Sequence, residues 1–153
     1  MYVSCKTLIQ ASPNEVWKTV TDIENAEKRI SGITKIEILE RPENGLEGLK
    51  WKESRMMFGN TATEVMWITD VVPMERYFVR AQNHGMNYCS EVSLRVVDGQ
   101  TELTMTCSGK PEGMMATFLS NFMEPLVRGT MKKAVRQDLV DIKNFVEKTT
   151  SVG

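Results

Sequence analysis

Between Lys50 and Ser108 apolar and polar positions alternate with a period of two, and short turn sequences break the run into consecutive antiparallel strands. Phe58-Gly59-Asn60-Thr61 predicts a hairpin tip centred on Gly59-Asn60, and Asp98-Gly99 predicts a two-residue loop. Val72-Pro73-Met74-Glu75-Arg76 and His84-Gly85-Met86-Asn87 supply two more reversals. Counting outward from Gly59-Asn60 pairs Met57 with Ala62, Arg55 with Glu64, Glu53 with Met66 and Trp51 with Ile68, all on one face. Tyr77, Val79, Ala81 and Asn83 extend that face, followed by Tyr88, Ser90, Val92, Leu94 and Val96, and then Thr101, Leu103, Met105 and Cys107. The opposite face carries Lys50, Lys52, Arg80, Gln82, Glu91, Arg95, Glu102 and Thr104 and is expected to be solvated, although it also holds Val65, Trp67 and Phe78.

The flanking segments complete the order of elements. Residues 2 to 10 predict a first strand with Val3, Cys5, Thr7 and Ile9 on its apolar side. Ser12-Pro13-Asn14-Glu15 then combines a capping hydroxyl, a proline at the first helical position and a glutamate placed to reach back, which is a capping box. Val16, Trp17 and Val20 give this helix its apolar side, and Asp22 is positioned to cap a second short helix that ends near Ile30 before Ser31-Gly32. Ile33, Ile36, Ile38 and Leu39 predict the second strand, and Pro42 to Gly48 turn the chain into the sheet.

From Met114 to about Lys148 the period lengthens to three or four. Met115, Phe118, Leu119, Phe122, Leu126, Val135, Leu139, Ile142 and Val146 form an apolar stripe, with Lys132, Lys133, Arg136, Asp138, Asp141 and Lys143 mostly off it. At ~1.5 Å per residue such a helix is on the order of 50 Å long. Pro125 and Gly129 predict a kink near Glu124. Seven strands with every helix on one side must curl around the long helix. The expected fold is therefore α+β, a helix grip: a curved seven-stranded antiparallel sheet, two short helices and a long C-terminal helix over a cavity, as a single domain spanning 1–153.

Composition narrows the function classes. With 153 residues and 41% hydrophobic content, one core is expected. Nineteen basic and 20 acidic residues give a formal charge of −1, which supplies no field for nucleic acid or anionic lipid. No apolar run approaches ~20 residues and no charged leader precedes an apolar stretch, so neither a membrane span nor secretion is expected and the location expected is cytoplasmic. Cys5, Cys89 and Cys107 lack paired spacing and His84 is the sole histidine, so a metal centre and a disulfide framework are not expected, nor is any cofactor. His84 falls outward beside Gly85, and Cys107 falls inward without a histidine partner.

Ala11-Ser12-Pro13-Asn14-Glu15-Val16-Trp17, Thr21-Asp22-Ile23-Glu24-Asn25, Gly48-Leu49-Lys50-Trp51-Lys52-Glu53 and Glu64-Val65-Met66-Trp67-Ile68, in this order of elements, resemble the polyketide cyclase/dehydrase family of the START-like (SRPBCC) superfamily. The resemblance spans nearly the whole chain and implies the helix-grip fold and binding of a small hydrophobic or amphipathic molecule, such as a lipid, quinone or polyketide-like compound. It brings no catalytic motif that maps residue by residue onto this chain.

The anomaly on the inward face is charge. Glu53, Arg55 and Glu64 sit among apolar neighbours, where charges must be paired. Two readings stay open. One is an ion cluster that fixes sheet register; the other is a polar anchor, with Arg55 as donor to a ligand oxygen and a glutamate as acid or base. The ligand-binding set expected is Trp51, Glu53, Arg55, Met57, Glu64, Met66, Ile68, Val79, Ala81, Asn83, Tyr88, Val92, Met105, Met115, Phe118, Leu119 and Phe122. If the protein is instead a cyclase, dehydratase or isomerase, the candidates are Glu53, Glu64, Arg55 and Tyr88. Strand direction gathers the turns at Gly59-Asn60, Gly85-Met86, Ser31-Gly32 and Gly109 to Gly113 at one end. Met56, Met57, Phe58, Met86, Met114, Met115 and Phe118 cluster there, either as a mouth, as a plug, or as the surface of a protein-interaction module. Sheet edges leave a homodimer open.

Overall fold

The computed structural model describes residues 1–152, apart from the side chains at positions 115, 116, 118–122, 151 and 152. Strand β1 (Tyr2–Ile9) leads into α1 (Pro13–Thr21) and a 3₁₀ helix (Ile23–Lys28). Strands β2 (Ile33–Glu40), β3 (Lys50–Met57), β4 (Asn60–Val72), β5 (Arg76–Asn83), β6 (Met86–Val97) and β7 (Gln100–Pro111) follow, and α2 (Met114–Val152) closes the chain. The strands form one curved sheet in the order β1-β7-β6-β5-β4-β3-β2, with every neighbouring pair antiparallel. This is the expected α+β helix grip.

Alternation explains the core. Trp51, Ile68, Tyr77, Val92 and Leu103 point from the sheet toward Leu139, Ile142 and Val146 of α2, while Val16 and Val20 of α1 seal the side near Ile9. The Tyr77 hydroxyl donates to the Val20 carbonyl at 2.6 Å, and the Trp17 ring meets the Tyr77 ring edge-on, so α1 is fixed to the sheet by both polar and aromatic contact. Thr101, also buried, donates to the carbonyl of Ala11 at the start of α1. Val96, expected inward, is 63% exposed. Leu126, expected on the buried stripe of α2, is exposed as well. The expected stripe members Met115, Phe118, Leu119 and Phe122 lie outside the described side chains.

Three hairpins share one turn geometry. Phe58-Gly59, His84-Gly85 and Asp98-Gly99 are two-residue loops in which both residues have positive φ, as a type I′ turn requires for the strand twist. The first loop is therefore Phe58-Gly59, not Gly59-Asn60, and Met57 pairs with Asn60. This moves the β3–β4 register by two residues: Arg55 faces Ala62, Glu53 faces Glu64 and Trp51 faces Met66. A shift of two leaves every side chain on its expected face.

Other local expectations are corrected at their ends. Ser12 Oγ accepts from the Glu15 amide at 3.3 Å, but the Glu15 carboxylate accepts from Thr150 Oγ1 of α2 instead of reaching back to Ser12. Asp22 makes no backbone cap; its carboxylate accepts from Asn25 and Arg29 side chains, and the helix it precedes is 3₁₀. Gly109, expected in a turn, lies inside β7.

Phe58 bears the left-handed conformational cost (φ 52°) while the residue as a whole is 59% exposed. Phe58→Asn is expected to raise stability by about 0.5–1 kcal/mol, because asparagine tolerates this conformation better. Urea unfolding measures it, and an unchanged midpoint would show that the tip is unstrained.

Candidate functional site

The charged residues of the inner face separate into two groups. In the first, Arg55 on β3 donates from Nε to Glu53 Oε2 at 2.7 Å, from Nη1 to Asp138 Oδ1 at 3.1 Å and from Nη2 to Asp138 Oδ2 at 2.8 Å. Trp51 Nε1 donates to the other oxygen of Glu53 at 3.3 Å. Glu53 and Asp138 are both buried, so one guanidinium serves two carboxyls between β3 and α2. Gly32 makes room for it: a Cβ at that position would stand 3.3 Å from Arg55 Nη1.

Arg55 thus does not face Glu64, and its three nitrogens are committed to protein carboxylates. Burial works to lower the Arg55 pKa, but the hydrogen bonds and charges of Asp138 and Glu53 outweigh it and hold the group cationic, with its pKa raised. Asp138 is pushed up from the usual aspartate range, first by burial, with the neighbouring Glu53 charge adding to it against the pull of Arg55. Helical periodicity places Asp138 off the apolar stripe of α2. It instead sits beside Leu139 on the face turned to the sheet, because its partner compensates its burial.

The second group lies on the neighbouring strands. Glu64 is half-buried and accepts from Asn83 Nδ2 through Oε1 at 3.1 Å. Tyr88, also half-buried, has its pKa raised by burial and then by the charge of Glu64. Its ring lies over the buried Gly109 of β7, where a Cβ would stand 3.1 Å from Cε1. Gly109 therefore places Tyr88. A glycine within a strand pattern signals such a close approach, and that signal was available in the sequence. Cys107 is buried, and burial raises its thiol pKa, as expected for an inert cysteine.

The remaining expected ligand residues divide by burial. Trp51, Ile68, Ala81 and Val92 are buried, whereas Met57, Met66, Val79, Asn83, Tyr88 and Met105 are only partly covered. Ligand-set residues Met115, Phe118, Leu119 and Phe122 lie outside the described side chains. At the hairpin end, Met56, Phe58 and Met114 are exposed, while Met57 and Met86 are partly covered. Glu112, near Met114, joins this end by donating its backbone N–H to the Gly85 carbonyl. Two surface hollows lie elsewhere among the described residues. One of about 270 Å³ follows Gly129, Lys132, Lys133, Arg136, Gln137 and Val140 of α2. The other, of about 480 Å³, is bounded by Pro13, Met74–Arg76 and Ser93–Val96.

Arg55→Met would leave Glu53 and Asp138 buried without a cation and is expected to cost about 3–5 kcal/mol near pH 7. Asp138, already raised by burial, would lose the pull of Arg55 and bind its proton more tightly in the folded chain than in the unfolded one, where an aspartate titrates near pH 4. Its penalty is absent below that unfolded value and grows as pH rises through the raised folded value. The deficit should accordingly shrink between pH 7 and pH 5 in urea unfolding. A deficit independent of pH would show that the acids do not depend on Arg55.

The architecture recurs in solved structures of low sequence identity. TTHA0849 from Thermus thermophilus superposes with a TM-score of 0.80 at 14% identity, covering 97% of this chain and 99% of that one. A START superfamily protein from Mycobacterium smegmatis gives 0.78 at 15% identity, covering 97% and 98%. The ZhuI aromatase/cyclase from Streptomyces sp. R1128 gives 0.78 at 14% identity, covering 98% and 95%. No curated protein matches the sequence. The model of the family described as polyketide cyclase / dehydrase and lipid transport matches residues 3–147, nearly the full length, and the chain belongs to that family.

Proposed function

We propose that this protein binds a small hydrophobic or amphipathic molecule, of lipid, quinone or polyketide-like type, between the concave sheet and α2, as a carrier or sensor. The observation that carries this reading is the uneven burial of the inner face. Met57, Met66, Val79, Asn83, Tyr88 and Met105 point inward yet stay partly uncovered beside a fully closed core at Trp51, Ile68 and Leu103. Flexible thioethers next to a few polar groups are what an adaptable apolar site presents. The lipid-transport part of the family description agrees with it.

A second reading, proton transfer on an enolisable substrate, is favoured by Glu64 alone. Glu53 already accepts from Arg55 and Trp51, and Arg55 gives three of its five N–H groups to Glu53 and Asp138, which argues against Glu53 as the acid or base and against Arg55 as the ligand's donor. Glu64 retains an oxygen without a protein partner among the described residues, next to Tyr88.

Native mass spectrometry of the purified protein, followed by solvent extraction, is expected to release an apolar compound. Met66→Trp, which fills the partly covered region, should weaken binding of a neutral apolar fluorophore by about tenfold or more while leaving the unfolding midpoint within a few degrees. An empty protein that also ignores such fluorophores would overturn the binding reading. Replacing the cluster together, as Glu53→Gln with Arg55→Met and Asp138→Leu, should keep both fold and binding if the cluster is only a structural clamp. Loss of binding in a folded triple variant would assign it to the ligand.

A further inference from the structure

The polar atoms left open on the inner face gather at Glu64, Asn83 and Tyr88. Arg55, the cation of that face, has Nε, Nη1 and Nη2 all engaged by Glu53 and Asp138. Asn83 donates an amide hydrogen to Glu64 Oε1, which leaves its own carbonyl oxygen facing away from that bond. Glu64 Oε2 and the Tyr88 hydroxyl have no hydrogen-bond partner among the described residues. Glu64 therefore offers an oxygen acceptor without a partner, Asn83 offers its carbonyl oxygen and a second amide hydrogen, and the Tyr88 hydroxyl can donate or accept. Glu53, Glu64 and Asp138 also outnumber Arg55 on this face, so its formal charge is negative.

Resting on the binding function proposed above, we infer that the ligand enters as a hydrogen-bond donor, a neutral phenol or alcohol, received by Glu64 and Tyr88, and that the site rejects carboxylates. A carboxylate would bring a further negative charge to an acidic, partly desolvated face beside Glu64, where the guanidinium of Arg55 already serves Glu53 and Asp138. A hydroxyl of the same size donates to Glu64 Oε2, and a hydrogen bond to a charged oxygen is among the stronger kinds. The apolar body of the ligand lies against Met66, Val79 and Met105, which share the face and are partly uncovered.

Three compounds with one ring system separate the contributions: 2-naphthol, 2-methoxynaphthalene, in which the donor is capped, and 2-naphthoate. Titration calorimetry at neutral pH is expected to rank 2-naphthol tightest, by about tenfold or more over both others. Glu64→Gln, which keeps an oxygen for Asn83, should shrink the advantage over 2-naphthoate, and its unfolding midpoint checks that the fold persists. Naphthoate binding as tightly as naphthol, or an advantage untouched by Glu64→Gln, would overturn the inference and leave the binding function standing. No binding of the three compounds or of a neutral apolar fluorophore would overturn the binding function and the inference with it.

Discussion

A guanidinium placed between a sheet and a helix is tolerated only when its charge is met at once by both, and Arg55 is met by Glu53 from its own strand and by Asp138 from α2. This contact joins residues 83 apart in sequence and ties the β3 side of the sheet to the helix. On the other side, Leu139, Ile142 and Val146 pack into the core formed with β1, β7 and α1, and Lys143 and Glu147 reach the backbone at Leu8 and Gln10. The helix is therefore held at two flanks by different physics. Ionic geometry sets one flank, and apolar burial sets the other. The strands between them, β4 to β6, carry the inward side chains that neither flank covers completely.

Much of this was legible from periodicity. Seven strands, two short helical segments and one long helix follow from where the pattern changes between two and three or four residues, and the faces follow from strand parity. The β3–β4 partners do not follow so simply, because Phe58 is a poor left-handed residue and the turn reads as one position later, at Gly59-Asn60. The slip of two preserves the faces but replaces the Arg55–Glu64 pair with Glu53 opposite Glu64. Two carboxylates placed opposite each other must turn apart, and they do, Glu53 toward Arg55 and Glu64 toward Asn83.

Asp138 could not be read from the sequence for a related reason. A charged residue within an amphipathic helix is ordinarily on its solvated face, and helical periodicity has no way to mark one whose burial is offset by a partner 83 residues away. Its position is a property of tertiary pairing. Asp22 illustrates the same limit at short range: its sequence context fits a backbone cap, but Arg29 and Asn25 compete for the carboxylate and win. Gly32 and Gly109 are different, since each marks a close approach, of Arg55 and of Tyr88, that a glycine beside a strand can signal in advance.

Under the proposed binding function, the division of the inner charges into two groups would decide how affinity and selection are shared. Arg55, Glu53 and Asp138 are paired with one another, so a ligand that displaced any of these contacts would leave a largely buried charge unpaired. Glu64 Oε2 and the Tyr88 hydroxyl have no protein partner among the described residues, so solvent would serve them in the absence of a ligand. A ligand's hydroxyl there replaces one hydrogen bond with another at small net gain, whereas a ligand lacking a donor leaves the acceptors unmet at the full cost of desolvation. Apolar area against the methionines would thus supply most of the affinity, and the penalty at Glu64 would supply the choice among ligands of similar size.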